Sequence, residues 1–364
     1  MKEISKILSF YDSLKKSANQ ACALAIVVYV EGSSYRRTGA RMLVSENGFW
    51  EGGISGGCLE GDALKKARMA ILKSKPNLVR YDTSTDDDHQ IGVGLGCNGI
   101  IDVLFIPIDY QSSENAIEIL KKGIAENINT IVSITNSDAH PEFLGKIFAY
   151  TSTEDLAFLS EIVDIKSFAE EIENLEKSKN YNFDNKIRVF VEKIPTPIQV
   201  YIFGNQYDIY PLIELLKMLY WEILIVSEPS KIKNPEGLSI ISPTDFNIEN
   251  INENSACLLM SHSLETDKAN LRKLTTANPK YIGMLGPKKR SERIISELKT
   301  EGVVIKENVI FAPTGLDIGA NTPEEIALAI LAEIKAVFNE RAGGFLKSRT
   351  LPINERNEEI FKFN

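Results

Sequence analysis

Four cysteines are spread over 364 residues, with no Cys-x-x-Cys pair and no zinc-type spacing, which excludes a disulfide framework or a structural zinc as the organising device. No run of about 18 apolar residues occurs, so no segment reads as a membrane span. Positive charge is also short: 41 lysines and arginines face 50 acidic residues, a net charge of -9 with a pI near 5.2. Binding a phosphate backbone needs a broad basic face, so nucleic acid is excluded as the main partner. Met1 to Lys16 alternates charge with Ile4, Ile7, Leu8, Tyr11 and Leu14 at helical spacing, unlike a signal peptide, and a cytoplasmic protein is expected. Internal repeats and low-complexity tracts are absent.

A hydrophobic content of 43% and a charged content of 25% are those of a globular chain, and the length suggests about two domains. Ala21 to Val30 is an almost continuous apolar run rich in β-branched residues and reads as a buried strand. Arg41 to Ser45 and Gly48 to Gly52 flank Asn47-Gly48 as a hairpin. Leu59 to Ser74 reads as a helix, and Leu78 to Thr83 and Ile100 to Pro107 as strands. The pattern weakens from Ser112 to Glu192, where Ile131 to Ile134 and Val189 to Val191 are expected strands and Ser160 to Ser178 an amphipathic helix. Pro195 and Pro197 mark a linker. Beyond it strands and helices alternate, which predicts a parallel sheet covered by helices. In such sheets ligands gather beyond the strand ends, here after Phe203, Ser261, Met284 and Ala312. Thr322, Pro323 and Glu325 announce the last helix with a capping box.

Two glycine loops carry lone cysteines: Gly53-Ile54-Ser55-Gly56-Gly57-Cys58 and Gly92-Val93-Gly94-Leu95-Gly96-Cys97. Amides of such a turn at a helix start can converge on an anion or favour a thiolate. With Gly39-Ala40-Arg41-Met42 before them, and Tyr281 to Gly286, Pro313 to Gly319 and Thr322 to Ala327 after them, these loops resemble the XdhC/CoxI family of molybdenum hydroxylase maturation factors, in family order across nearly the whole chain. The resemblance implies a Rossmann-like second domain. The expected fold is therefore α/β, an N-terminal mixed α/β domain with glycine loops over residues 1–193 and a C-terminal Rossmann-like parallel-sheet domain over 198–344. Residues 345–364 are expected as an arm or tail.

Cys58 and Cys97 are the candidates for sulfur handling or contact with molybdenum, whereas Cys22 and Cys257 lie in apolar strands and read as packing residues. Gly56, Gly57 and Gly96 would line the same loops, and Asp82 ends the strand that leads to Cys97. His89, among acidic neighbours, reads as part of a solvated loop, and His140 has no context that singles it out. Arg41, beside a glycine turn with Arg36 and Arg37, suits a phosphate or carboxylate, and the resemblance supports it. Gly204 opens the first strand-to-helix turn of the second domain, but Gln206 and Ile209 stand where a dinucleotide fingerprint has glycine, so ordinary NAD(P) binding is not expected. Glu228 ends the second strand, where an acid would take ribose hydroxyls. His262 resembles the family's Ser-His strand end; Gly286 and Lys288 open a basic helix start fit for a phosphate; Gly315 and Asp317 line the neighbouring strand end.

The resemblance implies a molybdenum cofactor (molybdopterin) chaperone that delivers the cofactor, in sulfurated form, to an apo-molybdenum hydroxylase of the xanthine dehydrogenase type. It reads as an accessory protein rather than a classical enzyme. A cysteine desulfurase is a further expected partner, and a homo-oligomer is expected, since a deep cleft best encloses an oxygen-sensitive cofactor. The alternatives are an NAD(P)-dependent oxidoreductase built on the Rossmann-like half and an interaction scaffold without small-molecule chemistry.

Overall fold

The computed structural model describes residues 2–17, 20–32, 34–82, 99–137, 140–184, 187–233, 236–350 and 360–363. They divide into two units, 1–195 with 351–364, and 196–350.

In the first unit, helix α1 (Lys2–Lys16) precedes β1 (Cys22–Gly32), whose first nine residues are all buried. The reason is a helix layer on each face. Leu24, Ile26 and Val28 pack with Ile7 and Tyr11 of α1 and with Ile117 and Leu120 of a later helix. Their neighbours Ala23, Ala25 and Val27 pack on the other side against Ala63, Ala67 and Ala70 of α2 (Glu60–Lys73). The period-two alternation therefore separates two cores rather than core from water. The antiparallel sheet runs β3-β2-β1-β5-β4, with β2 (Arg41–Ser45), β3 (Trp50–Gly52), β4 (Asn77–Asp82) and β5 (Gly99–Pro107).

Helix α3 (Ala116–Ala125), capped by the Asn115 side chain on the amides of Ile117 and Glu118, leads into a second sheet. This contains β6 (Thr130–Ser137), β7 (Ile147–Ala149), β8 (Lys179–Phe183) and β9 (Ile187–Lys193), joined in antiparallel pairs. The helix expected over Ser160 to Ser178 is shorter: α4 (Ile165–Glu173) starts at the Asp164 cap, and a 3-10 segment, Thr153–Leu159, precedes it.

The second unit is a six-stranded, all-parallel sheet: β10 (Gln199–Phe203), β11 (Glu222–Val226), β12 (Ser239–Ile241), β13 (Ser255–Leu259), β14 (Tyr281–Met284) and β15 (Ile310–Phe311). Their spatial order is β12-β11-β10-β13-β14-β15. Counted from β10 this is the doubly wound 3-2-1-4-5-6 arrangement, with its switch point between β10 and β13. Val200 and Ile202 face a core with α5 (Ile209–Leu219) and α8 (Pro323–Phe338). Tyr201 and Phe203 face α6 (Leu264–Leu274) and α7 (Lys288–Thr300). The N-terminal mixed α/β domain and the Rossmann-like parallel-sheet domain are thus both present. The capping box of α8 forms as expected: Thr322 Oγ1 accepts from the Glu325 amide at 3.3 Å, and the Glu325 carboxylate accepts from the Thr322 amide at 3.0 Å.

The segment expected as an arm ends in β16 (Ile360–Phe363), which pairs parallel with β8 in the first unit. Among the described residues no helix is long and apolar enough to cross a membrane.

Candidate functional site

Cys58 lies two residues ahead of α2, on a turn braced from inside by Ser55 and Glu60. The Ser55 hydroxyl donates to the Glu60 carboxylate and accepts from the amides of Gly57 at 3.2 Å and Leu59 at 3.1 Å. Glu60 Oε1 also accepts from the Ser55 amide at 2.9 Å. Burial works to raise the Glu60 carboxyl, but the hydrogen bonds from Ser55 and the neighbouring amides outweigh it and hold the group below its ordinary value. The amides on either side of Cys58 are therefore spent on Ser55. That corrects the expectation of a turn whose open amides converge on the thiol.

Cys58 itself packs against the edge of the core under α2 without being fully buried. Cys58 is half-buried, whereas Cys22 and Cys257 are buried, with burial pushing Cys22 up to about 11 and raising Cys257 as well. Gly57 adopts φ +112°, and a Cβ there would meet nothing within 4 Å, so the turn opens outward. A Cβ on Gly56 would instead approach the Tyr35 ring to 3.1 Å: glycine lets this ring, 72% exposed, lie against the backbone beside Cys58. No sequence pattern singles out Tyr35, whereas the spacing of a serine and a glutamate about the glycines is a usable signal for the brace. Cys97, Gly96 and His89 lie outside the described residues. Asp82 closes β4 and is half-buried. His140 is half-buried and approaches Glu142 at 3.3 Å.

Arg41 does not face an open anion site. It is 2% exposed, its guanidinium is paired with the buried Glu192, and Nη1 donates to the Gly39 carbonyl at 2.6 Å. A buried charge needs such a partner, and this one leaves no positive charge for a ligand. Gly39, at φ +82°, is required here, because a Cβ would fall 2.6 Å from Glu192 Oε1.

In the second unit, Gly204 allows the end of β10 to touch that of β13: a Cβ would sit 2.4 Å from the Met260 carbonyl oxygen. Gln206 is exposed and donates to Asn205 Oδ1 at 2.9 Å, while Asn205 donates to Ser227 Oγ at 3.1 Å. Asp208, at the N-terminus of α5, is buried and meets His262 Nε2 at 2.7 Å across the switch point. His262 holds a left-handed φ of +59°, which a β-carbon disfavours. Glu228 stands exposed after β11, held by Ser242 Oγ at 3.3 Å. The parallel topology brings Gly204, Glu228 and His262 to one end of the sheet.

At the next strand ends the basic turn is only partly free. Arg290, in the first turn of α7, is drawn inward to the fully buried Asp267 at 2.6 Å and to the Leu285 carbonyl at 2.9 Å. Lys288 is exposed, 3.9 Å from Glu292, and Gly286 turns the chain at φ +118°. Gly315 donates its amide to Glu333 Oε2 at 2.8 Å; the same carboxylate oxygen accepts from Tyr281 Oη at 2.5 Å, so α8 anchors the last loop. Asp317 is exposed on that loop. Among the described residues no group of three or more metal-ligating side chains gathers.

Comparison with known proteins agrees with this architecture. Residues 16–82 match the XdhC and CoxI family, and residues 200–334 match the XdhC Rossmann domain. The chain is 28% identical over 335 residues to a probable xanthine dehydrogenase subunit of Bacillus subtilis strain 168, covering 89% of this chain and 94% of that protein. It is 34% identical over 88 residues to the uncharacterized protein YqeB of Escherichia coli K12, covering 24% of this chain and 16% of that protein. The crystal structure of a xanthine dehydrogenase from Bacillus halodurans is similar, with a TM-score of 0.68, 25% identity, and coverage of 95% of this chain and 98% of that one. On both domains, this chain belongs to the XdhC and CoxI family.

Proposed function

We propose that the protein is an accessory factor for a xanthine dehydrogenase-type molybdenum hydroxylase, and that it binds the molybdenum cofactor and delivers it to the apo-enzyme. Family membership and the names of the similar proteins support the accessory role. The observation that carries the cofactor reading is a half-buried thiol, Cys58, on a glycine turn whose Gly56, two residues earlier, carries the exposed Tyr35 ring against its backbone.

Those residues fit the group. A pterin offers a flat conjugated ring, and Tyr35 offers a face for it; molybdenum is thiophilic, and Cys58 offers a soft sulfur. The open space over Gly57 leaves room for a ligand where any side chain would intrude. When bound, the cofactor carries the oxo-transfer and redox chemistry that the hydroxylase uses. Ser55 and Glu60 hold the turn, Cys58 presents its sulfur, and Tyr35 supports the ring. Delivery in sulfurated form would use Cys58, with Cys97 as the second thiol, and a cysteine desulfurase as the sulfur donor. Arg41 has no direct role in this scheme, since its charge is consumed by Glu192.

The test is transfer. Purified protein charged with released cofactor is mixed with apo-xanthine dehydrogenase, and recovered hydroxylase activity and molybdenum content are followed. Loading by the wild type that falls at least about tenfold in Cys58→Ser is the expected result; each tenfold corresponds to about 1.4 kcal/mol of lost interaction. Equal loading by the two, or loading no faster than with free cofactor, would refute the reading.

A further inference from the structure

We infer that the switch point of the second unit is a nucleoside site that rejects a 5′-phosphate, rather than a dinucleotide site. The topology places a ligand crevice between the ends of β10 and β13. In a dinucleotide-binding sheet the amides at the start of the first helix face that crevice and hold a pyrophosphate. Here that position already holds a negative charge. Asp208 stands at the start of α5, is 8% exposed, and directs Oδ2 to His262 Nε2 at 2.7 Å. A carboxylate there satisfies the helix dipole and repels a phosphate that would replace it. Gln206, exposed in the same turn, adds a side chain where close approach of a pyrophosphate needs none.

Two features of the crevice nevertheless point to a ligand. Asp208 Oδ1 is shielded from water and finds no hydrogen-bond donor among the described residues, although a buried carboxylate oxygen ordinarily has one. The exposed Glu228 follows β11, the strand end from which an acid accepts the hydroxyls of a ribose. His262, whose backbone is left-handed, meets Asp208 at 2.7 Å, and this contact fixes the carboxylate across the crevice. A ribose whose diol meets Glu228 carries its 5′-carbon toward α5. A free 5′-hydroxyl is a donor for the Asp208 carboxylate, and a 5′-phosphate is a like charge. The preferred ligand is therefore a nucleoside or a 5′-substituted nucleoside that is neutral or cationic at that end. This inference belongs to the parallel-sheet unit and rests on nothing in the cofactor reading of Cys58.

Titration calorimetry of the full chain with adenosine, adenosine 5′-monophosphate and NAD(H) tests it. Saturable adenosine binding, at least about tenfold tighter than either phosphate-bearing ligand, is expected, because like-charge contact costs more than that factor. Glu228→Gln, an exposed change that leaves the fold intact, should weaken adenosine binding at least about fivefold by removing the ionised acceptor. Asp208→Asn should narrow the gap between adenosine and its monophosphate about tenfold. No saturation by adenosine at millimolar concentration, monophosphate or dinucleotide binding as tight as adenosine, or an unaffected Glu228→Gln variant would each overturn the proposal. If Asp208→Asn does not fold, the wild-type ligand series and Glu228→Gln still decide it.

Discussion

Two glycine turns carry the candidate chemistry, and they treat their polar atoms in opposite ways. On the turn before α2, the Ser55 hydroxyl takes the amides of Gly57 and Leu59 and Glu60 takes the Ser55 amide and hydroxyl, so the loop is braced from within, with a half-buried thiol on it and an exposed aromatic ring against Gly56. On the turn before α5, Asp208 is half-satisfied: one oxygen meets His262 and the other has no donor among the described residues. The first turn is finished without a ligand, so binding there draws on exposed groups and leaves the brace intact. The second leaves one carboxylate oxygen without a donor among the described residues, and that is the atom the proposed nucleoside would satisfy.

The sharpest way to break this comparison is to remove a buried support. Glu192→Gln strands the Arg41 guanidinium at 2% exposure and should destabilise the first unit by about 3–5 kcal/mol, read from urea or thermal unfolding. Gly204→Ala acts on the second unit through the Met260 carbonyl 2.4 Å from the new Cβ, and a loss of about 1–3 kcal/mol is expected for that unit, read from urea or thermal unfolding. Ser55→Ala removes one acceptor of two amides and one donor to Glu60, and should cost about 1–2 kcal/mol while speeding hydrogen exchange around residues 55–60. By contrast Gly57→Ala meets open space and bears only the penalty of its positive φ, about 1 kcal/mol.

A smaller effect comes with pH. The folded Glu60 carboxyl lies below its ordinary value near 4.5, so its contribution is fully present above that value and is lost as pH falls through the folded value. Wild type and Glu60→Gln should therefore differ most near neutrality and converge in acid. A difference that grows in acid would reverse the assignment. Alkylation sharpens the same contrast among the described cysteines: iodoacetamide should label Cys58 in the folded protein and reach Cys22 and Cys257 only on unfolding, as peptide mapping by mass spectrometry would read.

What can be read from residues alone follows the range of the interactions involved. The parallel sheet announces itself through alternating apolar strands and helices, and the α8 cap through Thr322 and Glu325, three positions apart. From Ser112 to Glu192 the pattern is thin, because β7 has three residues and β8, Lys179–Phe183, mixes lysine and asparagine into an aromatic frame that only its neighbours make a strand. Arg41 resembles an anion fork in the sequence because its partner Glu192 stands 151 positions away. Asp208 is invisible there for the same reason, with His262 54 positions distant. Arg290 is tied to Asp267 across 23 positions, so a basic helix start looks more open than it is. Pairings made by the fold decide which charges remain for a ligand, and no local pattern encodes them.

The measurement that bears most directly on the central claim is binding of released molybdenum cofactor to the purified chain, wild type beside Cys58→Ala and Tyr35→Ala, read by molybdenum content and pterin fluorescence. Stoichiometric molybdenum and pterin on the wild type is expected, with molybdenum retention lost in Cys58→Ala and pterin affinity lowered about tenfold in Tyr35→Ala, the scale of one aromatic contact. A wild type that takes up neither, or a Cys58→Ala variant that holds both as well as wild type, would contradict the account.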